Sequence, residues 1–191
     1  MAEKALVIGL TGLAACGKGT ASEYLKEKHG FTAFTLSDVL RKEAEKRGLL
    51  ENKSLEESKL ILSRFGVEWR KETGRRDILG HTLAERIKKE KLARTVVDGF
   101  RSAEEVELFR REFRFTLVRV DATLETRWQR RLEQDPKANR ADFEKRDKFD
   151  VEKLGLGKVL EMADLRINNN GTKEELHKQV DSILSRINQR Q

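Results

Sequence analysis

Ala5-Leu6-Val7-Ile8-Gly9-Leu10-Thr11-Gly12-Leu13-Ala14-Ala15-Cys16-Gly17-Lys18-Gly19-Thr20 is the stretch whose reading decides the fold. Ala5 to Leu10 form a short, nearly continuous apolar run, the pattern of a strand covered on both faces in a parallel sheet. Gly12 and Gly17 then bracket four residues, and Lys18 follows. With that spacing successive backbone N–H groups turn inward around a phosphate, while the lysine ammonium reaches the terminal phosphates of a bound polyphosphate. A helix that begins after the loop aims its positive end at the same anion. A plain glycine turn would satisfy the same letters. The strand before it and the helix-forming residues after it favour the phosphate cradle.

The rest of the composition bounds what such a loop can belong to. A chain of 191 residues with 37% hydrophobic content fits one domain, residues 1–191, with a full core. No run of about eighteen apolar residues occurs, so no membrane span is expected. Met-Ala-Glu-Lys leads directly into the first strand, and a single cysteine excludes an internal disulfide. Both features suit a cytoplasmic protein, monomeric or homodimeric. Charged residues make up 38% of the chain and the net charge is +7. Solvated helix faces account for most of these charges. The basic excess fits either arginines gathered around small polyphosphates or a nucleic-acid footprint.

Downstream, apolar runs and helical stripes alternate. Ala21, Tyr24, Leu25 and Lys28 mark a helix face closed by His29-Gly30, and His29 reads as a helix-end residue. Phe31 to Leu36 reads as a second strand, and Ser37 opens a charged helix running to about Arg47-Gly48. Ser54 to Glu57 is a capping box that starts a helix with Leu55, Leu60, Ile61 and Phe65 as its stripe. Ile78 to Lys89 is a further amphipathic helix, and Trp69 reads as core rather than as a base-stacking surface. Arg94 to Asp98 is a third strand ending in an aspartate, followed by a capping box at Ser102 to Glu105. Arg114 to Val120 is a fourth strand, and the next helix carries Arg127, Arg130 and Arg131. Arg127 and Arg131 are four residues apart, so both lie on one face, and their repulsion makes sense if an anion arrives between them. Leu154 to Met162 predicts a short helix and Ala163 to Asn168 a fifth strand. The turn Asn169-Asn170-Gly171 leads into a final helix capped at Thr172 to Glu175.

Gly17-Lys18-Gly19-Thr20, with glycine after the lysine and the hydroxyl one place later, resembles the adenylate kinase group of nucleoside monophosphate kinases. Ala14 and Ala15 replace the Pro-Gly usual there, and Cys16 takes a common serine position. Leu36-Ser37-Asp38-Val39-Leu40-Arg41 is similar to that group's Thr-Gly-Asp-Met-Leu-Arg, and Asp98-Gly99-Phe100-Arg101 to its Asp-Gly-Phe-Pro-Arg without the proline. The latter is also similar to adenylate-kinase-like proteins with Asp-Gly-apolar-Arg-Ser. Ala163-Asp164 through Gly171-Thr172 resembles the C-terminal region of dephospho-CoA kinases.

The resemblance implies an α/β fold, the P-loop NTPase three-layer α/β/α sandwich on a five-stranded parallel sheet of order 2-3-1-4-5. Residues 37–91 would be a helical insertion enclosing the acceptor, and residues 132–153 a lid. It implies an ATP-dependent kinase acting on a nucleoside monophosphate-like acceptor with Mg2+. Gly12, Leu13, Ala14, Ala15, Cys16, Gly17, Lys18, Gly19 and Thr20, with Asn169 and Gly171, would bind ATP. Asp38, Arg41, Arg70 and Arg101 would bind the acceptor, and Thr20, Asp38 and Asp98 would serve the metal directly or through water. Lys18, Arg101, Arg127, Arg131 and Asp38 would act in catalysis. Two alternatives stay open: phosphorylation of a ribose hydroxyl with Asp38 as general base, and an ATP-hydrolysing RNA- or protein-binding module. Alkylation of Cys16 is expected to block the loop.

Overall fold

Five of the apolar runs become strands: β1 (Leu6–Thr11), β2 (Thr32–Thr35), β3 (Arg94–Asp98), β4 (Arg114–Asp121) and β5 (Leu165–Asn168). They form one sheet of order β2-β3-β1-β4-β5, as expected, in a computed structural model that describes residues 4–53, 55–152 and 155–189. Ser54 of the first capping box, Leu154 at the expected start of the short helix and Lys153 at the end of the lid span lie outside the described residues, as do the side chains of Leu55 and Leu60. Every pairing is parallel, with Ile8 opposite Val96 on one side and Thr116 on the other. Because strand side chains alternate between faces, Val7, Val97 and Leu117 enter one apolar layer while Ile8, Val96, Val118 and Val120 enter the other.

Each face is covered by helices. α1 (Lys18–His29) and α9 (Lys173–Gln189) cover the second face, burying Ala21 and Leu25 against Leu176, Val180, Ile183, Leu184 and Ile187. Each fully buried Leu or Ile of this kind contributes about 1.5–3 kcal/mol, which makes α9 part of the core. The first face carries α2 (Leu36–Lys46), α3 (Leu55–Thr73), α4 (Ile78–Lys89), α5 (Ala103–Glu112) and α8 (Leu156–Glu161). α6 (Leu124–Gln134) and α7 (Arg140–Glu152) follow β4, so the span expected as a lid is largely helical among its described residues.

Two boundaries differ from the sequence expectation. Leu36 is the first residue of α2 and not the end of β2, because the Thr35 hydroxyl accepts from the Asp38 N–H at 3.0 Å and caps the helix one residue early. α3 runs through Gly66 to Thr73. A Cβ at Gly66 would lie 3.3 Å from Leu40 of α2, so the glycine lets the two helices approach. Trp69 is buried, stacked on Phe65 at 5.7 Å and covered by the Arg47 guanidinium, which is the core role expected.

Candidate active site

Parallel strands that all run one way place their C-terminal ends, and the loops after them, at one edge of the sheet, where ligands bind in open α/β folds. The turn after β1 is shaped by that edge. Gly12 has φ 147° and a Cβ there would sit 2.4 Å from the Val120 carbonyl oxygen. Gly17 has φ 103° and a Cβ would sit 2.1 Å from Asn169 Nδ2. Both positions exclude any other residue, one by the end of β4 and the other by the turn before α9. Ala15, at φ 58°, holds a left-handed conformation without being glycine, a cost of about 1–2 kcal/mol that the surrounding contacts impose.

Inside this loop Lys18 Nζ donates to the carbonyls of Gly12 at 2.9 Å and Leu13 at 3.0 Å. The ammonium thus stands in the mouth of the loop, on weak neutral acceptors that an anion would outbid. α1 begins with no side-chain cap and no acidic residue in its first turn, so its positive end is uncompensated. Cys16 is only 1% exposed, and burial pushes its thiol up from the usual range. A neutral, enclosed thiol is inert, so the alkylation expected above has no physical route in the folded chain.

Asp98 ends β3 beside Lys18 and Arg101. Burial pushes its carboxyl up while those two cations pull it down, and Oδ1 is buried without a hydrogen-bond partner among the described residues. The Thr11 hydroxyl, donating to the Phe100 carbonyl at 3.1 Å, fastens the β3–α5 turn to the start of the loop. Arg101 Nη1 lies 3.7 Å from Asp150 on α7. Arg127, 4% exposed, donates to the Ala14 carbonyl at 3.2 Å and pairs with Asp147 of α7 at 2.5 Å, its guanidinium lying over the Phe143 ring. Lys18, Asp98, Arg101 and Arg127 are therefore gathered around one loop, with α7 closing over them through two inward carboxylates three residues apart.

Other candidates are placed differently. Arg131 and Arg127 each face their own carboxylate, Arg131 that of Asp135 at 2.8 Å and Arg127 that of Asp147. Arg70 donates to the carbonyls of Gly66 at 2.8 Å and Arg76 at 3.3 Å, so its guanidinium is held against the α3–α4 turn. Arg41 on α2 has no hydrogen bond or ion pair among the described residues and is half-buried. Among the described residues the exposed Asp38 carboxylate and the half-buried Thr20 hydroxyl have no hydrogen-bond or ion-pair partner. Asn169 turns its amide inward: Nδ2 donates to the Cys16 carbonyl at 2.8 Å and Oδ1 accepts from Arg130 at 3.4 Å. This side chain, one of those expected to bind ATP, is a buried brace for the loop. Gly171 is exposed in the same turn, where Thr172 and Glu175 form the expected reciprocal cap. Sequence reasoning gave Asp150 no role of its own and Glu105 only that of a helix cap. Their partners come from segments distant in sequence, and the only local signal was the capping box that contains Glu105.

No helix among the described residues is long and apolar enough to cross a membrane. Residues 8–154 match the family model described as AAA domain. The chain is 32% identical over 186 residues to a UPF0200 protein of Methanothermobacter thermautotrophicus, covering 95% of this chain and 90% of that one. Among solved structures it is similar to shikimate kinase from Acinetobacter baumannii in complex with shikimate, with TM-score 0.60, 17% identity and coverage of 99% and 96%. It is also similar to dephospho-CoA kinase from Campylobacter jejuni, with TM-score 0.53, 16% identity and coverage of 95% and 96%. At those identities the likeness speaks for the fold, which is that of P-loop kinases. The extent of the family match and the identity across nearly the whole chain show that this protein belongs to the AAA-domain family and to the UPF0200 proteins.

Proposed function

We propose that the chain is an ATP-dependent phosphotransferase that passes the γ-phosphoryl of ATP to the phosphate of a nucleoside monophosphate-like acceptor. The observation that carries this reading is the gathering of three cations from separate parts of the chain, Lys18, Arg101 and Arg127, around one phosphate-shaped loop beside Asp98. In such a transfer the bond from the γ-phosphorus to the β,γ-bridging oxygen breaks, and a bond from the acceptor oxygen to that phosphorus forms. The electron pair left on the β-phosphate is neutralised by Lys18 and by the N–H groups at the start of α1. An anionic acceptor needs no general base. Arg41, without a partner among the described residues, is suited to hold it in the insertion formed by residues 37–91, and residues 132–153 act as the lid that keeps water out.

The residues present also fit Mg2+. No group of three or more His, Cys, Asp or Glu side chains surrounds a point among the described residues. A magnesium ion held between substrate phosphates needs only one or two protein oxygens and keeps its waters. Asp98, whose Oδ1 is buried without a partner among the described residues, and Thr20 and Asp38, whose side-chain oxygens have none there either, are the residues that would hold it directly or through water. Bound there, the ion would supply positive charge to neutralise the donor phosphates.

A second reading is favoured by the exposed, unpartnered carboxylate of Asp38 together with the fold neighbours, one of which is crystallised with shikimate, a molecule that has hydroxyls and no phosphate. In it Asp38 takes the proton of an attacking hydroxyl. The test follows ADP release from ATP·Mg with every ribo- and deoxynucleoside monophosphate and with dephospho-CoA. Stimulation by a monophosphate supports the first reading and by dephospho-CoA the second. Release that no acceptor raises, but that RNA does, would overturn both in favour of a nucleic-acid-stimulated hydrolase.

A further inference from the structure

Glu105 is the third residue of α5, where a capping glutamate normally stands at the surface. Here it is 1% exposed. Its own N–H donates to the Ser102 hydroxyl at 3.2 Å, and its Oε2 reaches back to accept from the Arg101 N–H at 3.4 Å. Its Oε1 is buried without a hydrogen bond among the described residues and faces Arg70 Nη2 of α3 at 3.9 Å. From the other side α4 presses on the stem: a Cβ at Gly80 would lie 3.2 Å from Glu105 Cγ, so the helix carries glycine where the glutamate passes. An ordinary helix cap requires none of this burial, and an exposed glutamate or glutamine would satisfy the same two N–H groups.

We propose that Glu105 is a positioning residue for the acceptor half of the site, its buried carboxyl joining the turn that carries Arg101 to the helix that carries Arg70. The role rests on the acceptor reading given above and adds a physical link to it. Arg101 is reached from Glu105 through one peptide N–H, and Arg70 through its guanidinium, so a shift of α3 and α4 on acceptor binding is transmitted to the backbone at Arg101. The groups facing the carboxyl are Arg70 from α3, Asp77 from the start of α4 and the Arg101 and Ser102 N–H groups from the turn. Asp77 is already matched by Arg75 at 2.9 Å, which leaves Arg70 as the cation that answers the charge on Glu105. Burial pushes the Glu105 carboxyl up to about 7, so the link tightens as the carboxyl ionises around neutral pH.

The experiment is calorimetric titration of AMP into full-length protein whose donor loop is filled by a non-hydrolysable ATP analogue, at pH 6 and pH 8. It is run on the wild type, Glu105→Gln, Arg70→Ala and the double variant. At pH 8 Glu105→Gln should weaken AMP binding about fivefold, Arg70→Ala should do at least as much, and the double variant no more than Arg70→Ala alone. At pH 6, where the wild-type carboxyl is protonated, the glutamine variant should match the wild type. Equal loss at both pH values, or additive losses, overturns the proposal. An infrared titration of the wild-type carboxyl, shifted upward in Arg70→Ala, tests the link should Glu105→Gln fold poorly, and an unshifted titration overturns it. Wild-type protein that binds no AMP removes the acceptor reading itself. AMP binding retained unchanged by every variant removes only the role of Glu105.

Discussion

Arg127 and Asp147 face each other at 2.5 Å across the junction of α6 and α7, both nearly closed off from water, and the same guanidinium touches the Ala14 carbonyl of the phosphate loop. A buried pair of this kind is worth little against an apolar pair of the same volume, but losing one partner strands the other charge. Asp147→Asn should therefore lower the unfolding free energy by about 3 kcal/mol. Arg127→Met combined with Asp147→Leu should recover most of that loss. Urea denaturation of the three proteins measures both.

Lys18→Met removes the ammonium that stands in the loop mouth. Turnover should fall on the order of a hundredfold or more, as when a preorganised charge partner of a transition state is deleted. The carbonyls of Gly12 and Leu13 lose a donor as well, at a stability cost of about 1 kcal/mol. ATP affinity and ADP release, measured side by side, separate these effects. Unchanged values for both would sink the kinase reading.

The brace from Asn169 to the Cys16 carbonyl is testable from either end. Asn169→Ala leaves that carbonyl and Arg130 without their partner, costing about 1–3 kcal/mol, and should weaken nucleotide binding through a loosened loop. Gly17→Ala meets the same amide at 2.1 Å in a backbone conformation that alanine resists, and should lose nucleotide binding outright. Fluorescent-nucleotide titration with a thermal melt distinguishes a loosened loop from an unfolded chain.

How far these features were legible depends on how local their causes are. β1 could be read because it is buried from Leu6 to Thr11 and a strand covered on both faces must be apolar along its length, while β3 and β4 showed through the shorter apolar centres at Val96-Val97 and Leu117-Val118. The caps at Ser102 and Thr172 could be read because both partners lie within four residues. The charge partner of Arg127 could not, since Asp147 is 20 residues away and meets it only when α7 folds over. The interior placement of Glu105 is hidden for a related reason: the letters of a capping box are the same whether Arg70 and Gly80 pack on it or not. α3 passes through Gly66 because Leu40 of α2 fills the space a side chain would take, which is a tertiary fact.

Stability should depend on pH through Glu105 with a definite sign. Its folded value of about 7 exceeds the ordinary 4.5, so the folded state keeps a proton that the unfolded chain has already released. Unfolding free energy therefore declines as pH climbs from about 4.5 to 7 and is level above, a contribution of about 3 kcal/mol at most. Asp98, also pushed up by burial, acts in the same direction and is present in both proteins. The difference between Glu105→Gln and wild type isolates the first group. It should grow in favour of the variant over this interval in denaturation curves taken at several pH values.

Cys16 gives a check on loop geometry that needs no substrate. Enclosed and neutral, it should react with thiol reagents no faster than the protein opens, and at full rate in urea. Rapid labelling of the native chain would contradict the loop described above.

The contact between Asn169 and Cys16 also orders events during synthesis. Residues 12–17 leave the ribosome before the amide that holds their shape, which is encoded 153 positions after Cys16. A nascent chain can assemble most of the sheet before it can hold a nucleotide, and premature termination upstream of that asparagine should yield products that do not capture ATP.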